Sequence, residues 1–182
     1  MTGMMADVSH VLIGKEEIAA KVRQIGQALS REYEGLSPVM ICVLKGSVVF
    51  YADLVRCMDI PIRMDFISAS SYGRGTGSSG EVRLIKDLDE SIEGRHAVVV
   101  EDILDTGLTL HYLTDMLRSR KPASLKICTL LDKPERRRVI IEADWRGFTI
   151  PNEFVVGYGL DFAEQYRNLP DICVLKPEIY QK

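Results

Sequence analysis

No apolar run in this 182-residue chain approaches the roughly 20 residues that a bilayer-spanning helix needs. The opening MTGMMADVSH has neither the basic start nor the apolar stretch of a secretory signal. It reads as a flexible lead over residues 1–10, and the expected location is the cytoplasm. Cysteine is sparse. The four, Cys42, Cys57, Cys128 and Cys173, never fall in a CxxC pair, and three of them sit inside apolar runs. That pattern points to buried reduced thiols rather than a disulfide framework. The three histidines, His10, His96 and His111, are scattered, so no Cys/His set has the spacing of a structural zinc site. A basic surplus is missing too: 23 Lys and Arg against 26 Asp and Glu leave a net charge of -3. This argues against a broad nucleic-acid footprint, although Glu135–Arg138, ERRR, is a local basic patch. No GxxxxGK[ST] occurs. Gly75, Gly77 and Gly80 formally satisfy GxGxxG, but EVRLIKDL follows and alternates like a strand, where the dinucleotide fingerprint requires a helix.

What is present reads as one α/β domain over residues 1–182. Ile18, Val22, Ile25, Leu29 and Tyr33 recur at helical spacing, and Gly35 stands where a C-terminal cap would. Pro38–Leu44 is an apolar strand, broken at Lys45–Gly46 before a helical pattern that runs to about Met58. Further strands are expected at Pro61–Ser68, Glu81–Leu88, Ala97–Val100, Ser124–Leu131, Phe154–Leu160 and Asp171–Leu175, with a helix from about Leu108 to Ser119. Strands alternating with helices predict a central parallel sheet flanked by helices, with its site beyond the carboxyl ends of the strands. The breaks at Lys45–Gly46, Glu101–Thr109 and Asp132–Lys133 would then share one crevice. Ser68–Gly80, SASSYGRGTGSSG, is too rich in Gly and Ser to pack well and reads as a mobile lid over 68–80. Val139–Asn152 shows no motif.

The most informative segment is Ala97–Thr114, AVVVEDILDTGLTLHYLT. An apolar strand ends in two acids, and a Gly/Thr turn then opens a helix. Such a turn offers backbone N–H groups and hydroxyls to a phosphate, helped by the positive helix end. The acids suit a ribose diol or a hard cation. At Thr106–Thr109 an ordinary helix N-cap uses the same geometry, so both readings stand at this point.

VVVEDILDTGLTL resembles the phosphoribosyl pyrophosphate signature of the type I phosphoribosyltransferases. The triplet Leu44–Gly46, the SSYG of Ser70–Gly73, LLDKPERR at Leu130–Arg137 and FVVGYGLDFAEQYRNLP at Phe154–Pro170 narrow the resemblance to the bacterial enzymes acting on hypoxanthine. It covers nearly the whole chain after about residue 10. The resemblance implies the type I phosphoribosyltransferase fold, with a small hood formed by terminal segments. It implies transfer of a phosphoribosyl group to a 6-oxopurine (hypoxanthine, with guanine as a second base), with Mg2+ as cofactor. The partners it implies are those two substrates, with neither nucleic acid nor membrane, and a homodimer or homotetramer. Two other readings stay open. One is an RNA-binding regulatory relative of the same fold. The other is a transferase for another base such as xanthine.

By the same resemblance, Glu101 and Asp102 hold the ribose hydroxyls directly or through magnesium, and Asp161 is a further magnesium-side carboxylate. Asp105 is the general base, acting near N7 of the purine. Thr106, Gly107, Leu108 and Thr109 wrap the 5′-phosphate. Lys45 and Gly46 belong to the pyrophosphate loop, where the Leu44–Lys45 peptide bond can be cis; Arg167 is a pyrophosphate ligand and Arg137 a weaker candidate. Lys133 donates to the purine O6, Phe154 stacks on the base and Val155 lends backbone contacts. Ile103 and Leu160 close the apolar faces of the base, a role that competes with plain core packing. Ser71 and Tyr72 belong to the lid.

Overall fold

The computed structural model describes residues 3–71 and 82–181. Its elements in chain order are β1 (Val8–Ile13), α1 (Lys15–Glu32), β2 (Val39–Leu44), α2 (Val48–Arg56), β3 (Arg63–Ser71), β4 (Val82–Lys86) and β5 (His96–Leu104). There follow α3 (Leu108–Arg118), β6 (Ser124–Asp132), β7 (Trp145–Thr149), β8 (Val155–Val156), β9 (Ile172–Leu175) and the short α4 (Pro177–Tyr180). Six strands form one sheet in the order β4-β3-β2-β5-β6-β7, and three form a second in the order β1-β9-β8.

Alternation within the apolar runs explains the layers. Met40, Cys42, Val98 and Val100 face a core shared with α1 and α2, while Val39, Ile41, Val43, Ala97 and Val99 face a second core under α3. A strand buried on both faces must be apolar throughout, which is why Val39–Val43 and Ala97–Val100 contain no polar residue. The small sheet is the expected hood. Its Val155 and Val174 join the main core, and Val8, Val156, Cys173 and Leu175 form a separate cluster on its other side.

Three expectations need correction. The main sheet is mixed, because β4 pairs antiparallel with β3 while the other neighbours are parallel. Within the expected lead, residues 3–10 are ordered into structure: Met4–Ala6 form a 3-10 turn, and Val8 and His10 pair with Leu175 and Val174 of β9. Only Val155–Val156 of the run Phe154–Leu160 is strand, since Gly157 and Leu160 bridge each other in a tight turn. The motif-free stretch 139–152 contains β7, an edge strand with three half-buried and two exposed residues and so no apolar run to betray it. Of the lid, residues 72–80, Tyr72 included, lie outside the described residues, and Ser71 is described only as the backbone end of β3 paired with Val82.

Candidate active site

Strands β2, β5 and β6 run parallel, so their carboxyl ends open on one edge of the sheet. A cleft of about 260 Å³ lies along this edge, bounded by Leu44, Glu101, Asp102, Ile103 and the turn that carries Asp105, Thr106, Gly107 and Thr109. Of the three polar breaks expected to share a crevice, Glu101–Thr109 lines this one; Lys45–Gly46 and Asp132–Lys133 end the neighbouring strands but are not among its lining residues.

The acids are crowded. Asp102 is buried and its Oδ1 accepts the Ile103 N–H at 2.8 Å, while Glu101 Oε1 accepts the Asp102 N–H at 3.3 Å. Loss of water pushes the Glu101 carboxyl well above the usual range, and the neighbouring Asp102 charge pushes it further. Asp102 moves up for the same first reason, opposed by the hydrogen bonds it accepts. Two hard oxygen donors with excess negative charge suit a divalent cation that keeps waters and substrate oxygens as its other ligands. Among the described residues no group of three His, Cys, Asp or Glu gathers, so Asp161 stands apart from this pair.

Gly46 follows β2 after a Leu44–Lys45 peptide that is cis. Its α-carbon packs against the Asp102 carboxylate so closely that a side chain would have no room. Lys45 Nζ reaches Glu164 at 3.3 Å on the exposed rim. Arg167, expected beside pyrophosphate, pairs with Asp161 at 2.9 Å and donates to the Gly159 carbonyl at 2.8 Å; its Nε is buried without a partner.

The turn after β5 has left-handed Gly107 (φ +81°) immediately before α3, and a Cβ there would fall 2.6 Å from Ile141 Cγ2. Gly107 places no side chain at the cap position, and of the N–H groups that open α3 that of Leu108 reaches Thr106 Oγ1 at 3.5 Å. Asp105 accepts from Arg136 Nε at 3.2 Å. Arg137 is not placed as a pyrophosphate ligand. Its guanidinium donates to the Leu104 carbonyl at 2.9 Å and the Asp105 carbonyl at 2.5 Å, and pairs with buried Asp132. Arg146 adds a second contact to Asp132 at 3.3 Å. Sequence reading noticed the ERRR run but not this strut, because a basic run at a charged turn looks like a solvated surface.

Lys133 is buried, its Nζ donating to the Glu153 carbonyl at 2.6 Å and its N–H to the Leu104 carbonyl at 3.0 Å. Burial lowers its ammonium pKa, against the opposing pull of Asp105. Phe154 stands beyond it at the start of the hood strand, and Val155 is buried behind. Ile103 lines the cleft, whereas Leu160 lies in the main core and is not among the residues bounding the cleft, so core packing is what the structure assigns to it.

Residues 13–163 match the phosphoribosyl transferase domain family. The chain is 54% identical to the hypoxanthine-guanine phosphoribosyltransferase of Bacillus subtilis over 98% of this chain and 99% of that protein. It is 55% identical over 98% of its length to the bifunctional protein TilS/HprT of Listeria innocua, but spans only 28% of that relative. A hypoxanthine phosphoribosyltransferase structure from Staphylococcus aureus superposes with a TM-score of 0.95 at 49% identity, covering 100% of both chains.

Proposed function

This chain belongs to the phosphoribosyltransferase family, and from that premise we propose that it is a purine-salvage enzyme of the hypoxanthine-guanine type. It transfers the phosphoribosyl group of phosphoribosyl pyrophosphate to hypoxanthine, and to guanine, giving the nucleoside 5′-monophosphate and pyrophosphate in the cytoplasm. One observation carries the reading: the ends of β5 and β6 bring an acid pair, a Gly/Thr turn that opens a helix and a buried lysine to the same edge of the sheet.

The 5′-phosphate sits on the Thr106–Thr109 turn, held by the N–H groups that open α3 and by the Thr106 and Thr109 hydroxyls. Leu108 contributes its backbone N–H there. Glu101 and Asp102 face the ribose diol, and they are the residues that would hold magnesium; Asp161, paired with Arg167, stands apart from them. When bound, that ion supplies positive charge to offset the leaving pyrophosphate. Lys45, Gly46 and Arg167 line the pyrophosphate side. Lys133 donates to O6, which selects 6-oxopurines because adenine presents an amino donor at that position. Phe154 supports one face of the base, with Val155 at its edge and Ile103 opposite. Asp105 receives the N7 proton as the C1–O bond to pyrophosphate breaks and the C1–N9 bond forms. Arg136 gives up its contact with Asp105 when the base arrives.

The test is a magnesium-dependent assay of inosine monophosphate formation, run beside Asp105→Asn. The variant is expected to lose about 10²–10⁴-fold in kcat while still binding phosphoribosyl pyrophosphate. Equal rates would remove Asp105 from the mechanism, and preference for adenine would overturn the assignment of Lys133.

A further inference from the structure

The hood holds an aromatic contact that the reaction above leaves without a purpose. Phe154 keeps 36% of its surface exposed, yet one face of its ring is covered. Tyr180 stacks on it with centroids 4.6 Å apart and ring planes 19° apart. Phe162 meets the same ring edge-on at 5.6 Å and 89°. A stack on one side and an edge contact on another fix a ring in two directions.

Tyr180 is itself held. It ends α4 and, with Ile179, packs on the cluster of Val8, Val156, Tyr166 and Leu169. Lys176, just before that helix, donates its backbone N–H to the Asp7 carbonyl at 2.9 Å and its ammonium to the Ala6 carbonyl at 2.6 Å. The Leu175 N–H donates to the Phe154 carbonyl at 3.1 Å, so the segment leaves the sheet beside the ring it covers.

From this geometry we infer that Tyr180 is a positioning residue for the purine: it backs one face of Phe154 and so presents the opposite face, already flat, to the base. The inference rests on the proposed role of Phe154 as the stacking platform. Without its backing, Phe154 has other staggered side-chain conformations available, and the base must select the productive one at the expense of affinity. The base site then extends beyond the cleft to α4 and to the Ala6–Asp7 segment that clamps it.

The experiment is steady-state kinetics on the full chain with hypoxanthine varied at saturating phosphoribosyl pyrophosphate. It compares the parent with Tyr180→Ala, Tyr180→Leu, Tyr180→Phe, Phe154→Ala and the Phe154→Ala/Tyr180→Ala pair. Tyr180→Ala should raise KM for hypoxanthine about 3- to 10-fold, the scale of one aromatic pair, and leave KM for phosphoribosyl pyrophosphate unchanged. Tyr180→Phe should behave as the parent, and the double variant should be no worse than Phe154→Ala alone. Tyr180→Leu keeps the hydrophobic cover without the ring and serves if the alanine variant does not fold; it should show the same selective rise. Unchanged hypoxanthine KM in the Tyr180 variants, beside a clear effect of Phe154→Ala, would overturn the inference and spare the platform. A lowered KM would overturn it as well, by showing that Tyr180 occupies the seat of the base. If Phe154→Ala itself leaves hypoxanthine KM unchanged, the platform falls and the inference with it.

Discussion

Gly46 and Asp102 are in backbone-to-carboxylate contact: an added Cβ at 46 would lie 2.9 Å from the Asp102 carboxyl carbon and nearer still to Oδ2. The loop after β2 and the acid near the end of β5 therefore share one space, and neither can shift alone. Gly46→Ala should displace the Asp102 carboxylate and lower kcat/KM by about 100-fold, the usual effect of misplacing a catalytic group by an ångström. Circular dichroism should stay native while the inosine monophosphate assay collapses. Parent-like activity would mean that the loop can retreat without moving the acid.

Lys133 is satisfied within the protein by the Glu153 carbonyl, so its donor is already oriented before a base arrives. Lys133→Met should cut kcat/KM for hypoxanthine and guanine by about 10²-fold or more and narrow the gap to adenine, since a site built on a buried donor discriminates strongly. Competition between hypoxanthine and adenine reads this directly.

Glu101 costs the fold stability, because burial and the neighbouring Asp102 disfavour its charged form. An acid whose folded pKa is raised holds its proton longer when folded, so folding stability falls as pH climbs from the ordinary 4.5 through the folded value and stays lower above both. Glu101→Gln should remove that fall. Thermal unfolding without substrate should show the variant melting higher than the parent by at least about 2 °C near neutral pH, and the gap should close in acid. The same variant should be a poor enzyme, stability having been gained at the catalytic centre.

Arg137 ties the ends of β5 and β6 together, touching the carbonyls of Leu104 and Asp105 and the carboxylate of Asp132. Arg137→Ala should destabilise the fold by about 3 kcal/mol, because Asp132 stays buried with Arg146 as its remaining cation. Denaturant unfolding measures this. Arg137→Lys should recover only part of the loss, since an ammonium cannot fork across two carbonyls and a carboxylate.

The strand ends of the site were legible because apolar runs stop abruptly at polar residues: Leu44 before Lys45, Val100 before Glu101, Leu131 before Asp132. The helix after Gly107 was legible from its spacing and its glycine. Arg137 and Tyr180 were not. Their roles depend on which element they fold back on, and a sequence holds no local trace of a contact to a carbonyl 32 residues away. The strand β1 was missed for a related reason. Its ends, Val8 and Ile13, are buried but Ser9–Val11 between them are exposed, so VSHVLI lacks both a continuous apolar run and clean alternation, and only its pairing with β9 makes it a strand.

That pairing governs the order of assembly. Val8 meets Leu175, near the far end of the chain, so β1 emerges from the ribosome long before its neighbour exists. The main sheet and the turn after β5 are complete in the nascent chain while the hood is still one orphaned strand. A growing polypeptide can thus form the turn after β5 during synthesis, but the proposed base site must wait for β9. Folding of the hood is the late, non-local step that such sequence separation slows.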